Sequence, residues 1–82
     1  MDQQAIASCK EEIDNEYSNA QVTDGELRLI SSYGDNKEWE YTGNMTGTDR
    51  ITKENVSAPF SCTAFYFGDS KEYVAIAIVN AD

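Results

Sequence analysis

The residues of this chain whose types could do chemistry are two cysteines, Cys9 and Cys62, and several carboxylates. Glu12 and Glu16 stand four apart, and Glu38 and Glu40 stand two apart. Histidine is absent. Its absence removes Ser-His-Asp and Cys-His nucleophile systems and any histidine-ligated zinc, and two cysteines cannot fill a structural zinc site alone. Glu38 and Glu40 would lie roughly 7 Å apart on one face of a strand. That separation suits a carboxylate pair, but Thr42 and Asn44 continue the same face, which reads as a solvated polar face. Glu12 and Glu16, at i and i+4 on a helix, repel mildly; such a pair is tolerated in water or used when a basic partner arrives. Asp35, Asn36 and Glu38 offer oxygen ligands without the spacing of an EF-hand loop, so no metal is expected. No phosphate-cradling glycine motif is present. With no nucleophile–base pair to assemble, neither an enzyme nor a cofactor is expected.

Composition narrows the class further. The chain has 82 residues, 15 acidic and 6 basic, for a net charge of -9. At 40% hydrophobic and 11% aromatic it is too apolar for a disordered chain and is read as one domain, residues 1–82, with a small core. The longest apolar run, Val74 to Val79, is too short to cross a bilayer. The charge repels phosphate backbones and anionic membrane surfaces, so neither direct nucleic-acid binding nor membrane insertion is expected. The acid is spread along the chain, which serves solubility. Alternatively it forms a face that docks on a basic protein.

The elements that must position these residues are legible from periodicity. Ile6, Cys9, Ile13 and Tyr17 form one stripe of a helix spanning about 3–17, with Lys10, Glu11, Asp14 and Asn15 on the wet side. Residues 18–25 lose the period and end in Asp24-Gly25, a turn signal. Strands are expected over about 26–33, 37–46, 60–67 and 71–79. Ile30 breaks the alternation of the first. Gly34-Asp35-Asn36 is a hairpin candidate. Trp39, Tyr41 and Met45 alternate with Glu38, Glu40, Thr42 and Asn44, which marks Trp39 and Tyr41 as core rather than as a platform for a sugar or base. Residues 50–58 read as a loop or short edge strand, and Pro59 as a strand start. The fold class is α+β, with the N-terminal helix packed on a four- to five-stranded antiparallel meander sheet.

The last two strands are apolar on both faces. Phe60, Cys62, Ala64 and Tyr66 share one face and Phe65 and Phe67 the other; Val74, Ile76 and Ile78 oppose Tyr73, Ala75, Ala77 and Val79. One reading makes these central strands of a curled sheet, wrapped on both sides. Otherwise the far face, around Phe65, Phe67 and Tyr73, is a dimer or partner surface.

Cys9 lies on the apolar stripe and Cys62 on the Phe60 face, so a helix packed on that face brings them together. A bridge there would close a loop worth about 4 kcal/mol in the chain-entropy model and would suit a small exported domain. The alternative is two buried free thiols in a cytoplasmic protein. Ile6-Ala7-Ser8-Cys9 matches a lipoprotein cleavage box by letters, but no apolar stretch precedes it; an export signal would lie upstream. Asn44-Met45-Thr46 and Asn55-Val56-Ser57 are sequons of the kind that arise by chance.

Three segments together resemble a group of small exported or lipid-anchored bacterial domains, frequent in actinobacteria and their phages, of no settled activity. They are Cys9-Lys10-Glu11-Glu12-Ile13, Trp39-Glu40-Tyr41-Thr42-Gly43 and Val56-Ser57-Ala58-Pro59-Phe60-Ser61-Cys62-Thr63. The resemblance implies a helix bridged to a meander sheet and brings no catalytic residues. The chain departs from the pattern at Arg50-Ile51-Thr52-Lys53-Glu54, where the group carries Asn-x-Phe-Gly-Ala.

The function expected is therefore a small acidic non-catalytic protein-interaction module, exported and disulfide-stapled. Its contact residues would be Phe65, Phe67, Tyr73, Glu12, Glu16, Glu38 and Glu40, its partner a protein, and a homodimer through the second sheet face is admitted. The alternative is an intracellular phage-type acidic inhibitor, a nucleic-acid mimic that blocks a basic nucleic-acid-binding host protein such as a defence nuclease.

Overall fold

A computed structural model describes residues 1–80 of the chain. Helix α1 runs from Asp2 to Glu16 and buries Ala5, Cys9 and Ile13, the stripe set by its 4-residue spacing. Four strands follow: β1 (Tyr17–Tyr33), β2 (Asn36–Asp49), β3 (Asn55–Phe67) and β4 (Glu72–Val79). They form one antiparallel sheet in the order β1-β2-β3-β4. The helix lies against one face, giving the α+β fold the periodicity predicts. The core between the layers comprises that stripe with Tyr17, Trp39, Tyr41, Met45, Phe60, Cys62, Ala64 and Ala75.

Cys9 and Cys62 are joined by a disulfide, with Cα atoms 6.0 Å apart and a sequence separation of 53. The bond ties the middle of α1 to the middle of β3. The far end of the helix is held differently. The Arg50 backbone N–H donates to the Glu16 carbonyl at 3.0 Å, and Arg50 Nε donates to the Asp14 carbonyl at 2.9 Å. The last turn of α1 has no basic residue of its own. Arg50, reaching across from the β2–β3 turn, satisfies two orphan carbonyls and sets a cation at the negative end of the helix dipole.

The structure departs from the sequence expectations along β1 and β3. Residues 18–25 are not a connection but part of a 17-residue strand. Their turn-forming residues make bulges instead. The β1–β2 register shifts between Ser18 and Gln21 and between Thr23 and Glu26, where Asn19 and Asp24 take φ of 53° and 55°. Asn and Asp tolerate this left-handed region better than other side chains, which is why they occur at bulges as well as at turns. A third shift, between Leu29 and Ser31, makes Ile30 the inserted residue and accounts for its broken alternation. Likewise β3 begins at Asn55, so Pro59 sits inside it. That is permitted because the side of Pro59 lacking an N–H faces the end of β4, just past the last paired residues, Phe60 and Val79, where Pro59 serves as acceptor and its carbonyl takes the Asn80 N–H.

Two turns close the sheet at one end. Tyr33 pairs with Asn36 across Gly34-Asp35, and Gly34 has φ of 60°, as a two-residue hairpin turn with positive φ first requires. Gly68, in the β3–β4 turn, approaches so closely that a Cβ there would stand 2.9 Å from the Asp35 carbonyl oxygen. Its N–H donates to Asn36 Oδ1 at 2.9 Å, pinning the two turns together. At the other end, Asp49 Oδ1 accepts from the Ile51 and Thr52 N–H groups at 2.8 and 3.0 Å. The Thr52 and then the Ile51 bond, with Lys53 nearby, hold the Asp49 carboxyl below the usual carboxylate range.

Two outcomes are expected. Replacing both cysteines by alanine should lower the unfolding free energy by about 2–5 kcal/mol, read from urea denaturation of the oxidised parent and the variant. An unchanged midpoint would show that helix packing alone holds the layers. Asp49 should titrate by NMR below an unfolded Asp, whose pKa is about 3.9. Because the folded value is the lower one, its contribution to stability is present above the unfolded pKa and lost as pH falls through the folded one. Asp49→Asn should remove that part of the acid dependence.

Candidate protein-interaction face

Alternation along each strand divides the side chains between a helix-covered face and an outer face. On β2, Trp39, Tyr41 and Met45 are buried beneath the helix, which sends Glu38, Glu40 and Thr42 outward. Pairing then fixes the outer face of the neighbours. Phe65 lies beside Glu38 and Val74, Thr63 beside Glu40 and Ile76, and Ser61 beside Thr42 and Ile78. Phe67 follows Phe65 on β3, opposite Glu72, and the two rings stack with centroids 6.1 Å apart.

The face is therefore split. Toward β4 it is apolar: Val74 is 44% exposed, Ile76 and Ile78 are each 60% exposed, and Phe67 is 43% exposed. Toward β1 it is charged. Arg28 pairs across the strands with Glu40, Nη2 to Oε1 at 2.6 Å, both side chains substantially exposed. An exposed pair of this kind adds only about 0–1 kcal/mol, so its effect is to leave Glu38 as the uncompensated acid beside Phe65.

Three of the expected contact residues are gathered elsewhere. Tyr73 does not lie with Phe65 and Phe67. It pairs with Tyr66, ring centroids 4.8 Å apart, and stacks on Trp39 at 6.3 Å, so it closes one end of the helix-side core. Burial, followed by Tyr66, raises its phenol pKa. Glu12 and Glu16 are exposed on α1, against the opposite face of the sheet from Glu38 and Glu40, and the four do not converge. Phe65, Phe67, Glu38 and Glu40 do share one surface.

Val74, Ile76 and Ile78 dominate this surface; alternation groups the three together but does not say which face they take. Reading β4 as a central strand wrapped on both sides is overturned: β4 ends the sheet, and one helix covers only one of its faces. The available signal was the cross-strand register, which depends on the length of the Gly68 turn. The expected ligand oxygens are also dispersed: Asp35 lies in a turn, Asn36 accepts the Gly68 N–H, and Glu38 faces outward. Among the described residues no three His, Cys, Asp or Glu side chains are grouped to hold a metal ion, and no helix is long and apolar enough to cross a membrane.

No protein-family model, curated protein or solved structure matches the chain. Its functional reading rests on this surface.

The division between faces is open to a direct check. Tyr73→Ala should destabilise the fold by about 2 kcal/mol or more, because it empties an aromatic cluster. Ile76→Ala, at an exposed position, should fall within about 0.5 kcal/mol of the parent. Equal losses in thermal melts would contradict the assignment.

Proposed function

We propose that this chain is a small non-catalytic protein-interaction module that meets its partner through the outer face of the sheet, at Phe65, Phe67, Val74, Ile76 and Ile78. The observation that carries the reading is the contiguity of these five side chains in an acidic chain of 82 residues. Scattered exposed aliphatics are ordinary on a protein surface; a continuous apolar row with a stacked aromatic pair, bordered by Glu38, Glu40 and Glu72, has the composition of an interface centre with a charged rim. The Cys9–Cys62 bond is compatible with an extracytoplasmic location. Together with the resemblance to exported bacterial domains, it supports a module that works outside the cytoplasm.

A second reading draws on the helix. Asp2, Glu11, Glu12, Asp14 and Glu16 are all exposed on α1, with Lys10 the only base there. That surface favours an acidic inhibitor docked on a basic, nucleic-acid-binding protein.

Salt and one substitution separate the two. The oxidised chain and its Phe65→Ala variant are immobilised and exposed to host envelope and cytoplasmic fractions at low and high salt. The outer-face module retains a partner at both salt concentrations and releases it, with an affinity loss of about tenfold or more, on Phe65→Ala. An acidic mimic loses its partner steeply with salt and ignores the substitution, because its attraction is to many Lys and Arg groups. A complex insensitive to both changes sinks each picture of the contact.

A further inference from the structure

The two edges of this sheet are built in opposite ways. β1, one edge, carries three register shifts and the charges of Asp24, Glu26 and Arg28. Bulges and edge charges are how sheets refuse an additional strand. β4, the other edge, has neither defence. Its pairing with β3 runs without a shift from Phe67–Glu72 to Phe60–Val79, it contains no proline, and Glu72 is its only charged residue.

The direction of its backbone groups follows from one hydrogen bond. The Asn80 N–H donates to the Pro59 carbonyl at 3.0 Å. In an antiparallel ladder, bonded and non-bonded pairs alternate. Glu72, Val74, Ile76 and Ile78 therefore turn their N–H and C=O groups toward β3. Tyr73, Ala75, Ala77 and Val79 turn theirs to the open edge, where among the described residues they make no hydrogen bond. An unpaired row of this kind is a template for another strand.

We propose that this edge pairs antiparallel with β4 of a second copy of the chain, about a two-fold axis at Ile76, joining two four-stranded sheets into one. With the axis there, Tyr73 bonds to Val79 of the second copy and Ala75 to Ala77, and their reciprocals follow. Every open N–H of these residues meets a C=O; an axis displaced along the strand leaves some without a partner. On the outer face Ile76 stands opposite Ile76, and Val74 opposite Ile78, the β-branched cross-strand pairs that stabilise sheets. Glu72 stands opposite Asn80, so no carboxylate of one strand faces a carboxylate of the other. Two chains of charge -9 repel, and the uncharged stretch Val74–Val79 is where they can approach without placing charge against charge. Along β4 itself a foreign basic strand would find only Glu72 to pair with. The junction sets the Val74, Ile76 and Ile78 rows of both copies side by side, doubling the apolar surface of the outer face.

The experiment is sedimentation equilibrium of the purified, oxidised chain at low and high salt, with no partner present. A dimer is expected, and it should tighten as salt screens the repulsion, the opposite of an acid–base contact. Ile76→Lys and Ile76→Glu each put two like charges face to face at the axis and should each weaken the dimer about tenfold or more. Mixing the two variants should restore association, because Lys then meets Glu. Both substitutions are at an exposed position, and circular dichroism confirms that each variant is folded. A chain monomeric at both salt concentrations, a dimer indifferent to both charges, or variants that fail to pair when mixed would each overturn the proposal. The edge pairing does not involve the Phe65 ring, so Phe65→Ala should dimerise normally, and failure of the outer-face reading would leave this result standing.

Discussion

One α-helix has one apolar stripe, and the rest of this molecule depends on the sheet face that stripe seals. Ala5, Cys9 and Ile13 press on Trp39, Tyr41, Met45, Phe60, Cys62 and Ala64, and the Cys9–Cys62 bond holds the contact at its centre. A chain of this size has little apolar area to spend on folding. The covalent tie restricts the unfolded ensemble where a larger protein would rely on a second layer. The consequence is the outer face, which no helix covers among the described residues.

That uncovered face connects the core to function. If it were polar throughout, the chain would be an ordinary two-layer domain. Instead, Phe65, Phe67, Val74, Ile76 and Ile78 occupy the half nearest β4, while Glu38, Glu40 and Arg28 occupy the other half. Exposed apolar area weakens no native contact, but it carries an aggregation hazard unless something covers it. The net charge of -9 opposes indiscriminate self-association, leaving room for a specific contact.

Much of the fold is legible in the sequence because it depends on short periods. The 3- and 4-residue spacing of Ile6, Cys9 and Ile13 marks the helix, and the alternation of Trp39, Tyr41 and Met45 with Glu38, Glu40 and Asn44 marks both a strand and its buried side. The β1 segment is less legible. Asn19 and Asp24-Gly25 carry the chemistry of turns, but a bulge needs the same left-handed backbone, and only pairing with β2 shows which was formed. Pro59 misleads for a related reason: its missing N–H matters only on the side where a neighbour needs it, and that side is set by where β4 ends.

The candidate surface divides along the same line. The sequence by itself determines that the chain is acidic, that it lacks the histidine chemistry of common catalytic sites, that Cys9 lies on the apolar stripe of the helix and Cys62 on the Phe60 side of its strand, and that Phe65 faces away from Cys62. These are properties of composition and of local geometry. Tertiary structure alone decides that Tyr73 joins Trp39 and Tyr66 beneath the helix, that Glu12 and Glu16 lie across the molecule from Glu38 and Glu40, and that Val74, Ile76 and Ile78 are left exposed. The physical reason is register. In β3 and β4, apolar on both faces, alternation sorts the residues of each strand into two sets, but which set meets the helix is settled only when a turn of definite length places that strand against its neighbour.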